Sequence, residues 1–168
     1  MSRQAAEDPE LVARALPPRV GPRPRTSRGL PHSQLDQQPD ARIRAALARR
    51  IWGFPGVEKG ASGISVPGAC ALCLPPEVAA GPPEAFLVDR EFAHLHPHPD
   101  SSLHLSLPTP TAKEVVAAGW AEFHPLVGSG QLPPTVVMVY APRDEDELEI
   151  VLGLVMRSYQ FATARSRP

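Results

Sequence analysis

The sequence has little of what marks several large classes of protein. Only two cysteines occur among its 168 residues, Cys70 and Cys73, too few for a disulfide framework. Their C-x-x-C spacing lacks a second pair to complete a zinc site and a helix start to support a redox motif, so both read as small apolar residues. The formal net charge is -1 at pH 7. Without a field of one sign, nucleic acid is not an expected partner. No apolar run approaches the roughly 20 residues needed to span a bilayer, and no membrane contact is expected. The first residues, Met1 to Asp8, lack the apolar centre of a secretory signal, which makes the cytoplasm the expected location. Nothing in the sequence fixes an oligomeric state.

Proline, by contrast, is abundant, with 22 residues. Many separate short apolar runs, which predicts short elements and many turns rather than a helical bundle. Residues 1–38 carry prolines, arginines and glutamines with almost no apolar period, and read as a disordered, solvated tail. One loose helical turn around Leu11, Val12, Ala15 and Leu16 is the exception. A single α+β domain is expected over residues 39–165, with a small antiparallel or mixed sheet packed against two or three helices.

Within that domain Asp40 is a fitting N-cap for a helix to about Ile51, with Ile43, Leu47 and Ile51 as its buried stripe. Strands are predicted at 64–66 and 69–74, joined by a Pro67-Gly68 turn, and again at 85–88, 91–96 and 102–107. Thr111 to Glu114 has capping-box spacing for a helix that Gly119 would stop. A loop then runs to Pro134. Thr135 to Tyr140 reads as a buried strand, and the acidic run Asp144 to Glu147 opens a last helix whose buried face is Leu148, Val151, Leu152, Val155 and Tyr159.

The chemistry-bearing residues concentrate between Glu91 and His104. Alternate side chains of a strand share a face, so Phe92, His94 and His96 should point together. Ser102, His104 and Ser106 should share one face of the next strand. If the two strands pair through a turn near Asp100, His104 comes beside His94 or His96, and three imidazoles stand on one wall. Neutral imidazole binds transition metals, and histidine titrates near neutral pH. No carboxylate stands at a clear ligand spacing, so a metal is not assigned. The alternatives are histidines satisfied by backbone or water on a half-solvated face, or a metal-dependent enzyme. Asp100 can orient a ring. Trp120 and His124 can wall a flat ligand, though Trp120 can equally cap the core. Tyr140 and Arg143 end the last strand, where Arg143 can reach the site or only pair with Asp146 or Glu147.

Read in order, Glu91-Phe92-Ala93-His94-Leu95-His96, Asp100, Leu103-His104-Leu105, Gly119-Trp120, His124-Pro125-Leu126, Pro133-Pro134 and Tyr140-Ala141-Pro142-Arg143 resemble the core of the fungal luciferase family. The resemblance runs from about Glu91 to Phe161. It implies oxidation of a flat hydroxylated pyrone by molecular oxygen, with neither metal nor organic cofactor. It covers non-luminous relatives as well. On that footing the expected partners are a small molecule and oxygen. One of His94, His96 or His104 is the expected general base, acting on an enol or phenol. Trp120 and Phe123 are expected beside the ring, and Arg143 or His124 beside the anion. A non-catalytic domain that binds a small molecule is the other reading of the same residues.

Overall fold

A computed structural model describes residues 16–165. The helical turn expected around Leu11 to Ala15 lies outside them. Helix α1 spans Ala41–Ile51; the Asp40 carboxylate accepts from the backbone N–H of Ile43, and Ile43, Leu47 and Ile51 are buried. Six strands follow: β1 (Glu58–Ala61), β2 (Cys70–Cys73), β3 (Glu91–Leu95), β4 (Leu103–Ser106), β5 (Ala121–Phe123) and β6 (Val136–Val139). They form one sheet in the order β1-β2-β3-β4-β6-β5, and every neighbouring pair is antiparallel. Helices α2 (Thr109–Ala117) and α3 (Pro125–Gly128) lie in the connections. Helix α4 (Glu145–Ala162) closes the fold. The architecture is α+β in a single domain.

Several expected elements shift, each for a physical reason. The partner of β2 is β1, not residues 64–66. Every β1 residue is exposed, as suits an edge strand, and so it carries no apolar alternation to read. Ile64, Ser65 and Val66 form a loop facing a hollow described below. The expected strand at 85–88 is a short 3-10 turn at Pro83–Ala85, followed by a single bridge between Val88 and Glu91. Helix α2 begins two residues before the capping box, with Pro108 at its N-cap and no side-chain cap. A proline in the first helical turn has no N–H to satisfy and a φ already set for the helix. Gly119 does end this segment, at φ 86°. Strand β5 and helix α3 fall in the stretch read as a loop, because each is too short to show a period.

Helix α4 and helix α1 cover one face of the sheet. The Asp144 side chain accepts from the Glu147 N–H, and Leu148, Val151, Leu152, Val155 and Tyr159 are buried. They join Ala93, Leu95, Leu103, Leu105, Val137 and Val139 in one core. Arg42 pairs with Glu145 and Arg50 with Glu149, linking the two helices. Among the described residues no helix is long and apolar enough to cross a membrane.

Among the described residues no long helix covers the opposite face. Residues 16–38 cross it as extended chain held by hydrogen bonds. Trp120 Nε1 donates to the Pro17 carbonyl at 2.6 Å, and Arg19 N–H to Ala118 O at 2.8 Å. Arg23 Nη1 donates to Ala121 O at 2.9 Å. Gln34 takes the N–H of Ala141 on its side-chain oxygen at 2.9 Å, and its own N–H donates to Asp100 at 3.1 Å. Apart from a single antiparallel bridge between Thr26 and Gln34, backbone groups here are satisfied outside regular strands, which is why the segment shows no apolar period.

The C-terminal end of α4 is pinned by close backbone approach. Gly81 N–H donates to Ala162 O at 2.8 Å, and a Cβ at Gly81 would collide with the Phe161 carbonyl and lie 2.9 Å from Ala162 Cα. Gly81→Ala is therefore expected to lower stability by about 1–3 kcal/mol. Gly60→Ala, where a Cβ meets open space, should stay within about 0.5 kcal/mol. Denaturant midpoints of the two variants check both values.

Candidate functional site

The register of β3 and β4 sets the site. His94 stands directly opposite His104, and His96 lies beyond the strand end with its backbone N–H donating to Ser102 O at 2.9 Å. The His94 Nε2 to His104 Nδ1 distance is 3.1 Å, and His96 Nε2 lies 3.0 Å from the same His104 Nδ1. Two parts of the chain thus bring three ring nitrogens to one point. All three residues are buried.

A bulge supplies the first carboxylate. The β2–β3 register pairs Leu72 with Ala93 but Cys73 with Glu91, so Phe92 is the extra residue. Phe92 accordingly leaves the histidine face, contrary to strict alternation, and packs edge-on to Tyr159 in the core. Glu91 takes its place beside the rings and meets His94 Nδ1 at 2.7 Å. A regular strand would put residues three apart on opposite faces; the bulge re-aims one of them. Asp100, in the turn before β4, does the same for the second ring, with His96 Nδ1 at 2.9 Å.

The third ring is held by a longer chain. His104 Nε2 lies 2.9 Å from His32 Nδ1, and His32 Nε2 lies 2.6 Å from Glu122 Oε1 on β5. Tyr140 Oη donates to the other Glu122 oxygen at 3.0 Å. His124 completes the group: its ring centroid is 5.0 Å from that of His104, and its Nδ1 accepts the Leu126 N–H at 3.1 Å at the start of α3.

Above the rings opens a cavity of about 300 Å³. His94, His96, His104 and His124 line it together with His32, and Leu30, Ile64, Val66, Leu87, Leu132 and Val136 make its apolar walls. Among the candidate residues, Asp100 reaches this hollow only through His96, and Tyr140 only through Glu122, which holds His32. Trp120 lies in the core and anchors residue 17. Arg143 turns away to Glu147, with a further bond to Val20 O at 2.7 Å. Cys70 and Cys73 are free and half-buried, and burial, aided by Glu91, pushes the Cys73 thiol up.

The protonation states follow from burial and pairing. Burial lowers the pKa of His94 against the pull of Glu91. His104 is held well below the usual imidazole value, first by burial and then by repulsion from its neighbouring rings. His124 falls to about 4 for the same two reasons. Burial pushes Glu91 up, but bonds from His94, Ser62 and the Gly63 N–H outweigh it and leave the carboxyl below its ordinary value. Asp100 is lowered in the same way by His96 and Ser102, and Glu122 by His32, Thr26 and Tyr140. Near neutral pH the carboxylates are therefore ionised and the perturbed rings neutral.

Three of these residues were not legible as candidates. His32 sits in a stretch with no apolar period, so only its place in space marks it. Glu91 needed the bulge. Glu122 belongs to a strand of three residues, too short to assign a face.

Burial raises Tyr140 to about 12, and the adjoining Glu122 carboxylate opposes its ionisation further. A raised acid contributes stability that is complete below its unfolded pKa of about 10 and is lost as pH rises towards 12. Ultraviolet titration of tyrosinate should show one phenol ionising near 12, absent in Tyr140→Phe. The parent should also lose stability between pH 10 and 12 more steeply than that variant.

The family profile described as "Luciferase domain" matches residues 89–158. The chain is 35% identical over 164 residues to a luciferase of Armillaria ostoyae and 34% identical over 164 residues to one of Armillaria gallica. In both cases 88% of this chain and 61% of the relative are covered. The similarity thus extends well before Glu91, where the motifs begin. A luciferase of Neonothopanus nambi is 43% identical over 76 residues, covering 44% of this chain and 28% of that protein. The chain accordingly spans about three fifths of the length of the Armillaria relatives. No solved structure matches it. Domain match, relatives and the ordered motifs from Glu91 to Arg143 agree, and together they support a fungal luciferase-like family for this chain.

Proposed function

We propose that the chain is an oxygenase that oxidises a flat enol, phenol or pyrone-like molecule with molecular oxygen in the hollow above His94, His96 and His104. The observation that carries this reading is the convergence of His94 Nε2 and His96 Nε2 on His104 Nδ1, at 3.1 and 3.0 Å, on the floor of an apolar-walled cavity. A planar ring suits walls of leucine, isoleucine and valine, and an acidic hydroxyl suits the floor. The relatives named luciferases support an oxygen-consuming reaction.

In this reading the floor drives loss of the hydroxyl proton. The ring carbon of the resulting anion gives electrons to oxygen, forming a carbon–oxygen bond, and the peroxide takes up a proton. Substrate and oxygen together balance the hydroperoxide product. His124 accepts at Nδ1, so its neutral ring carries the proton on Nε2 and can donate to the anion.

An oxygen electrode tests this with hydroxypyrones and polyphenols as probes. Uptake should be saturable, and labelled oxygen should appear in the product. His96→Ala should lower kcat/KM by about 100-fold or more. Uptake equal to that of the parent would remove the rings from the chemistry. Tight binding of probes without uptake would leave a binding domain in place of an enzyme.

A further inference from the structure

The ring protons can be traced from the ionised carboxylates inward. Glu91 can only accept, so His94 carries its proton on Nδ1 and presents a lone pair at Nε2. Asp100 likewise fixes the proton of His96 on Nδ1 and frees its Nε2. Glu122 takes the proton of His32 Nε2, which leaves His32 Nδ1 to accept from His104 Nε2. His104 is then left with a lone pair at Nδ1. Three lone pairs therefore face one another across 3.0 and 3.1 Å, an arrangement that repels unless something positive sits between them.

We propose that His94 Nε2, His96 Nε2 and His104 Nδ1 hold a divalent first-row transition-metal ion whose open coordination positions face the hollow. Metal–imidazole bonds of about 2.1 Å set about 90° apart place ligand nitrogens about 3.0 Å from one another, close to the two spacings from His104 Nδ1. Imidazole ligands select ions such as zinc, iron, nickel or copper over magnesium and calcium, which prefer oxygen. Two of the rings also carry the carboxylate partner on the remote nitrogen that orients metal-binding histidines and raises their basicity. The third is backed by His32, itself held by Glu122. The alternative trio of His32, His104 and His124 also gathers within 4.8 Å. It fits less well, because the Leu126 N–H occupies the His124 lone pair and the His32–His104 bond consumes both facing nitrogens.

Three protein ligands leave room for an oxygen atom of the substrate. This part of the inference deepens the proposed oxygenase, since a hydroxyl on the ion loses its proton readily. Metal binding itself does not depend on that reading.

Full-length protein stripped with a chelator and titrated with cobalt(II) or zinc(II) should bind one ion per chain, with a cobalt spectrum typical of nitrogen ligation. His104→Ala should abolish binding. Glu91→Gln, which keeps the ring and weakens its support, should lower affinity about 10- to 100-fold. His98→Ala removes an exposed histidine and should bind as the parent does. No stoichiometric binding, or equal binding by the parent and folded Glu91→Gln, would overturn the assignment. Oxygen uptake then separates the two readings. Loss on stripping and recovery with metal supports both. One ion bound without uptake on any probe supports the metal site alone. Full uptake by protein that takes up no ion overturns the metal and leaves the oxygenase.

Discussion

Hydrogen bonds between imidazoles and buried or half-buried carboxylates hold the site together. Glu91 meets His94, Asp100 meets His96, and Glu122 meets His32. An ionised carboxylate in a poorly solvated place is costly unless its lone pairs are met. Each here is met by a ring and by further donors: Ser62 and Gly63 for Glu91, Ser102 and the Gln34 N–H for Asp100, and Tyr140 for Glu122. The same bonds decide which nitrogen of each ring carries its proton, and so what the hollow offers a ligand.

The sheet serves two purposes with its two faces. Leu103 and Leu105 of β4 pack under helix α4, while His104 between them points to the other side. Burying polar rings on that side requires a cover that brings its own hydrogen-bonding groups. Residues 16–38 meet the need as extended chain: His32 and Gln34 are both buried, and both bond to groups of the histidine face. A helix laid there would spend its backbone groups internally and offer only side chains.

This division bears on where the domain ends. The luciferase-domain match covers residues 89–158, which include the three converged rings, Asp100, Glu122 and His124. It leaves out His32 and the loop at Ile64 to Val66, which supply a ring contact and part of the cavity wall. The polar floor belongs to the matched core, whereas much of the cover comes from the chain before it.

Local pattern alone was enough for the helices at Ala41–Ile51 and Glu145–Ala162, with the cap at Asp40 and the acidic run that opens the second, because capping, acidic first turns and a four-residue apolar stripe are written in neighbouring residues. It was also enough for β3, β4 and β6, and for a hairpin that would bring His104 beside His94 or His96; the structure decided that His94 is the residue paired with it. Only the tertiary structure decided which face Glu91 and Phe92 take, because a bulge depends on the partner strand. It alone brought in His32 and Glu122, separated from His104 by 72 and from His32 by 90 residues respectively. Their places are set by hydrogen bonds to distant groups, and such bonds leave no period in the sequence.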